Sequence, residues 1–228
     1  MNLLTQNSKI KKSKKRTFNF GIPAFKSAKG LVTCPKAGAC IKGCYAQSGA
    51  YNFSNVAQAF EKRLAITMQD NFVQLVVAEL NKKKVERLRI HDSGDFYLTD
   101  KHGVINPIRQ ANTHTHYIDR WISIMLLCPK VEFYAYTKMI SLFKKYEASK
   151  SLPKNFTVIY SFGGVEDALI NTSVDRHAMV FETTKELKAA HYADASNQDD
   201  VALEYSIRIG LVYHGTKNYS NTTWDKVA

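Results

Sequence analysis

The stretch Val131–Gly164, VEFYAYTKMISLFKKYEASKSLPKNFTVIYSFGG, decides the fold. Val131 to Thr137 is a short apolar and aromatic run, Ile140 to Ser149 has helical spacing, and Phe156 to Phe162 is again rich in β-branched and aromatic residues. Short apolar runs separated by an amphipathic segment read as strand, helix, strand. The same alternation extends in both directions. Upstream, Thr17–Phe25 reads as a first strand and Ser54–Lys82 as one long helix with Phe60, Leu64, Met68, Phe72, Leu75, Val76 and Leu80 on one side. Arg87–His91 follows as a strand and Tyr117–Cys128 as a helix. Downstream come a short helix at Val165–Ile170, a strand at Ala178–Phe181, a helix at Thr184–His191 and a last strand at Ile207–His214. Thr184–Leu187 (TKEL) marks a helix N-terminus and carries no other signal. Strict alternation predicts an α/β fold with a parallel sheet. It is either a partial or TIM-like (βα) barrel or an open doubly wound sheet. No repeat, G-x-G-x-x-G or Walker loop is present.

Composition sets the class. The chain has 228 residues, 45% of them apolar, with 11 Gly and 5 Pro, which is material for one ordinary core and excludes disordered, collagenous and disulfide-stapled classes. Trp121–Cys128, the longest apolar stretch and broken by Ser123, is far short of the ~20 residues of a membrane span. The N-terminus has no apolar signal region, so the expectation is a cytoplasmic protein with no membrane partner. Charge is uneven: of the net +12, the first 60 residues supply ten basic groups and no acidic one. Within them Lys9–Arg16, KIKKSKKR, reads as a flexible basic arm over residues 1–16, attracted to nucleic acid or simply solvated, ahead of a single α/β domain over 17–228.

Three of the four cysteines, Cys34, Cys40 and Cys44, fall in TCPKAGACIKGCYAQSG; Cys128 stands alone, with the spacing of a core thiol. In a reducing compartment clustered thiols read as metal ligands. Structural zinc favours paired ligands, and no second pair lies nearby. Three thiolates in one compact loop, with Gly38 and Gly43 between them, suit three corners of an iron–sulfur cluster, 4Fe-4S or 3Fe-4S. Zinc completed by a distant His or Asp, or three ordinary cysteines, remain the alternatives.

In parallel folds chemistry gathers where strands end. The first expected strand leads into the cysteines, and the second ends in His91-Asp92-Ser93-Gly94-Asp95. The third ends in Tyr136-Thr137-Lys138, the fourth in Ser161-Phe162-Gly163-Gly164, and the last in His214-Gly215-Thr216-Lys217. An iron lacking a fourth thiolate can act as a Lewis acid on a small-molecule substrate. His91, Asp92 or Asp95 would then take a proton from water, while Lys138, Ser161 and the Gly163-Gly164 backbone steady an oxyanion. His214 joins them on the expected rim.

CPKAGACIKGCYAQSGAY, RIHDSGDFY, PKVEFYAYTK and IGLVYHGTKN together resemble a phage-encoded family known as gene-product-88-like, over about Phe18–Asn218. That resemblance implies an iron–sulfur protein in a barrel-like α/β fold, with ester-hydrolase activity, in the host cytoplasm. The cysteine loop is also similar to that of radical S-adenosylmethionine enzymes, whose partial (βα)6 barrel carries a four-iron cluster just after its first strand. Here the gaps between cysteines are five and three residues rather than three and two, and HDSGD stands where those enzymes have a GGE-like motif. Three readings follow: a cluster-dependent ester hydrolase, a radical S-adenosylmethionine enzyme, and a non-enzymatic cluster protein that binds nucleic acid through its basic first 60 residues.

Overall fold

The computed structural model describes residues 2–98, 116–149 and 152–214. A seven-stranded, wholly parallel sheet runs β1 (Thr17–Phe20), β2 (Arg87–Ile90), β3 (Glu132–Thr137), β4 (Phe156–Ser161), β5 (His177–Phe181), β7 (Arg208–Val212), β6 (Ala193–Asp194). Five strands are therefore laid down in sequence, and only the last two exchange places. The sheet curls into a half-barrel with β1 and β6 at its edges. Between the strands lie α1 (Ser54–Thr67), α2 (Phe72–Lys82), α3 (His116–Leu127), α4 (Ile140–Ala148), α5 (Thr184–Ala189) and α6 (Asp200–Glu204). A partial parallel barrel was expected, and the sequential strand order sets aside the doubly wound alternative.

Strand alternation sorts side chains onto two cores. On the outer face Phe18, Phe20, Leu88, Ile90, Phe133 and Ala135 pack with Phe72, Val76 and Leu80 of α2, Trp121 and Ile124 of α3, and Phe143 of α4. On the inner face Tyr134, Ile159, Ala178 and Ile209 meet Ala195 and Ala202, so the segment carrying α6 plugs the concave side.

Four expectations are corrected. β1 stops at Phe20, because Gly21 and Pro23 follow and proline cannot donate to a ladder. The single helix expected over Ser54–Lys82 is two, broken at the Gln69-Asp70-Asn71 turn, and Met68, expected on its buried side, is exposed at the break. Between Val165 and Ile170 only a single 3-10 turn forms, Asp167–Leu169. Finally, residues 2–16 are packed rather than a free arm: Leu3, Leu4 and Ile10 are buried, and Thr5 bridges to Asn19 antiparallel to β1. Apolar residues at those three positions drive this docking. Gly215, Thr216 and Lys217, expected beyond the last strand, lie outside the described residues. No helix among those described is long and apolar enough to cross a membrane.

Candidate functional site

The cysteine loop leaves β1 and is stitched to the C-terminal ends of two other strands. Ile22 donates its amide to the Ser93 carbonyl (3.0 Å), and the Asp95 amide donates to the Thr33 carbonyl (3.0 Å), which ties the loop to the end of β2. The Tyr45 hydroxyl donates to the Asp92 carbonyl. On the β4 side the amides of Gly38 and Cys40 both donate to the Gly163 carbonyl (3.1 and 3.0 Å), and Lys36 pairs with Glu166 at 2.7 Å. Gly38 is required here, since a Cβ at that position would lie 2.9 Å from the Gly164 backbone.

Cys34, Cys40 and Cys44 are all half-buried. Burial pushes the Cys34 thiol up, as do the nearby Asp95, Cys40 and Cys44, while the Phe25 amide, 3.2 Å from Sγ, pulls it down. Burial also raises Cys44; the Ala46 and Gln47 amides and Lys138 act the other way, and Cys40 adds to the rise. The three thiols thus lie in electrostatic reach of one another, two of them with backbone donors aimed at sulfur. Among the described residues no three ligating side chains converge on one point, as a single ion would require. A cubane asks for something else, because each thiolate binds its own iron.

The rim residues divide. Asp95 accepts from the Phe96 amide (2.8 Å) and the Thr137 hydroxyl (2.7 Å) with one oxygen, and from the Lys138 amide (2.9 Å) with the other. Both oxygens are engaged, so Asp95 clasps the ends of β2 and β3. Lys138 Nζ donates to Ser161 Oγ at 2.8 Å. The amides of Gly163 and Gly164 are both taken by Asp167 (2.8 and 2.9 Å) and are not available to an oxyanion. The His214 ring approaches that of Tyr45 (5.8 Å between centroids), which brings it to the same end as the cysteine loop. Asp92 is buried, which raises its pKa, with Arg89, Asn19 and Arg63 opposing; its Oδ1 has no hydrogen-bond partner among the described residues.

His91 is not brought to the site. Its backbone takes φ 61° at the end of β2, and the ring turns into the outer core against Phe96 (4.6 Å) and Trp121 (6.2 Å), with Nε2 on the Tyr117 hydroxyl at 2.9 Å. Burial lowers its pKa to about 3, which leaves a neutral core imidazole. Cys128 is buried in the same core, as its spacing suggested.

The inner face also carries charge that the linear reading passed over. Asp199 is fully buried, accepting from Tyr134 OH (2.7 Å) and pairing with Arg89 (3.2 Å) and Lys9 (2.7 Å). Burial alone would raise its pKa, but Arg89 and Lys9 outweigh it and bring it down to about 2. Below this layer Arg87 pairs with Asp200 and with Glu132. The signal was in RLRI: arginines at alternate positions of a buried strand must point together and must find partners.

No curated protein and no solved structure matches this chain. The family model described as Gene product 88 matches residues 1–224. With nearly the whole length covered, and with the cysteine loop and HDSGD segment joined at one end of a parallel half-barrel, the chain belongs to the Gene product 88 family.

Proposed function

We propose that this protein is an iron–sulfur enzyme that works with S-adenosylmethionine at the C-terminal end of its half-barrel, Cys34, Cys40 and Cys44 each holding one iron of a 4Fe-4S cluster. The observation that carries this reading is the place of the three-thiol loop. It follows β1, at the C-terminal end of a sheet wound in order through five strands, the place of the cluster loop in the radical enzymes that the cysteine loop resembles. Held there, such a cluster would supply an electron and, at an iron without a thiolate, an open coordination position. The chain's own residues do the rest. The Phe25, Ala46 and Gln47 amides stabilise thiolate at Cys34 and Cys44, Lys138 offsets negative charge beside Cys44, and Asp95 fixes the backbone from which Lys138 projects.

Cluster-dependent ester hydrolysis is the second reading, favoured by the 2.8 Å contact between Lys138 and Ser161 beside the loop. Its machinery is thinner than the sequence suggested: His91 lies in the core, both oxygens of Asp95 are engaged, and the Gly163 and Gly164 amides are occupied. Asp92 remains to take a proton from water, and the Lys138–Ser161 pair to hold an oxyanion.

Anaerobic purification with iron and sulfide counting tests the cluster, and replacing any of the three cysteines with Ser should remove the brown chromophore and most of the iron. Unchanged metal in all three variants refutes the site. Reduced, cluster-replete protein should then release methionine and 5′-deoxyadenosine from S-adenosylmethionine. Release of neither, together with p-nitrophenyl acetate turnover that is lost in Ser161→Ala and on cluster removal, would give the hydrolytic reading instead.

A further inference from the structure

On the inner face of the half-barrel, beneath the cysteine loop, Asn19 Oδ1, Arg89 Nε, Asp92 Oδ1 and the Tyr136 hydroxyl are buried and have no hydrogen-bond partner among the described residues. They belong together. Asn19 and Arg89 face each other in register across β1 and β2, and the Arg89 guanidinium lies 4.9 Å from the centre of the Tyr136 ring. Arg89 and the Asn19 side chain both act on Asp92. Asn19 is 2% exposed and Asp92 6%, so bulk water does not solvate them. A buried polar group without a partner is destabilising, and four in one place point to something that satisfies them in the working protein.

Their chemistry specifies what. Arg89 Nε and the Tyr136 hydroxyl can donate; Asp92 Oδ1 and Asn19 Oδ1 accept. A ligand that answers this pattern presents an oxygen acceptor beside an N–H donor. Tyr45, whose hydroxyl donates to the Asp92 carbonyl, brings an aromatic ring beside them, with Tyr51 (5.7 Å) and Phe60 (5.6 Å from Tyr51, stacked) next in line. We infer that this inner face is a recognition site for a planar ring with a lactam edge, a uracil-, thymine- or guanine-type base, whose carbonyl is held by Arg89 and Tyr136 and whose N–H is held by Asp92. The inference concerns the inner face alone and does not depend on which chemistry the cysteine loop supports.

Calorimetric titration of the purified full chain tests it, with uridine, thymidine and guanosine against cytidine and adenosine. The lactam nucleosides should bind at least about tenfold more tightly than the other two, the order of two hydrogen bonds. Tyr136→Phe should weaken that binding several-fold while leaving the melting temperature equal or higher, because it deletes a hydroxyl with no partner among the described residues; a merely structural tyrosine would show the reverse. A thymidine oligonucleotide identifies the source: a salt-sensitive gain over thymidine assigns a base carried on a strand, and equal affinity per base a free nucleoside. The inference is overturned if no nucleoside binds at millimolar concentration, which would leave trapped water as the partner of these atoms. It is overturned equally if adenosine binds as tightly as uridine, or if Tyr136→Phe binds unchanged.

Discussion

His91 shows how one residue at a strand end can be structural while its neighbours face the site. Its left-handed backbone costs on the order of 1–3 kcal/mol, and the return is an imidazole packed among Phe20, Phe96, Tyr117 and Trp121 with one ring nitrogen on the Tyr117 hydroxyl. Its pKa falls to about 3 by burial, from an ordinary 6.5. A depressed folded pKa means the unfolded chain binds the proton first, so stability present above pH 6.5 declines as pH falls toward 3. By pH 5 the loss from this group amounts to about 2 kcal/mol. Urea unfolding at pH 7.5 and pH 5 should show His91→Gln losing less between the two than the parent chain. Asp92 and Asp95, whose buried carboxyls are shifted up, titrate in both proteins and cancel in that comparison. An identical pH dependence would place the imidazole in solvent.

At the scale of elements the cysteine loop is held less by its own turns than by the β4 exit. Gly163 accepts from two loop amides through its carbonyl while Asp167 holds its amide and that of Gly164, so the two loops form one clasp. Gly38→Ala should force this clasp open, because the new methyl would meet backbone rather than a movable side chain. The expected result is faster hydrogen exchange at the Cys40 amide and a lower melting temperature; unchanged exchange would show that the loops are independent. Most elements were legible in the sequence, because parallel strands buried on both faces leave continuous apolar runs such as TVIYSF, and the helices between them keep their period. What escaped was short or local. β6 has two residues and α6 five, too few to show a period, and the polar Gln69-Asp70-Asn71 turn was bridged by the helical spacing that resumes at Phe72. That the cysteine loop, Lys138 and Ser161 share one end of the sheet followed from strand ends; the contact between Lys138 and Ser161 did not. The destination of His91 did not, because a single φ decides which face receives it, and the Arg89–Asp199 pairing spans 110 positions of sequence.

For the molecule as a whole, residues 2–16 act as a brace around the β1 edge of the half-barrel, from the outer core, where Leu3 and Leu4 pack, to the inner face, where Lys9 reaches Asp199. Leu3, Leu4 and Ile10 are buried, at about 1.5–3 kcal/mol for each such side chain, and Lys9 supplies the second cation on Asp199. In the basic run, read as attracted to nucleic acid or simply solvated, Lys9, Lys14 and Lys15 pair with Asp199, Glu204 and Glu132. Lys9→Met should therefore destabilise the protein through Asp199, leaving a fully buried carboxylate with Arg89 and Tyr134 alone. Breaking a buried pair costs up to about 3–5 kcal/mol. Because Asp199 sits at about 2 against an ordinary 3.8, its contribution is present above pH 4 and disappears as pH falls toward 2, so the effect of Lys9→Met should be full at pH 7 and shrink in acid. Asp199→Asn should itself be costly, because it strands the buried Arg89, and adding Lys9→Met to it should cost little more, since both act through one network; an unrelated defect in folding would add in full. Chemical unfolding of the parent, both single variants and the double variant checks this. If Lys9→Met unfolds at the same denaturant concentration as the parent, while weakening salt-sensitive binding to nucleic acid, the segment is a binding arm and not a brace.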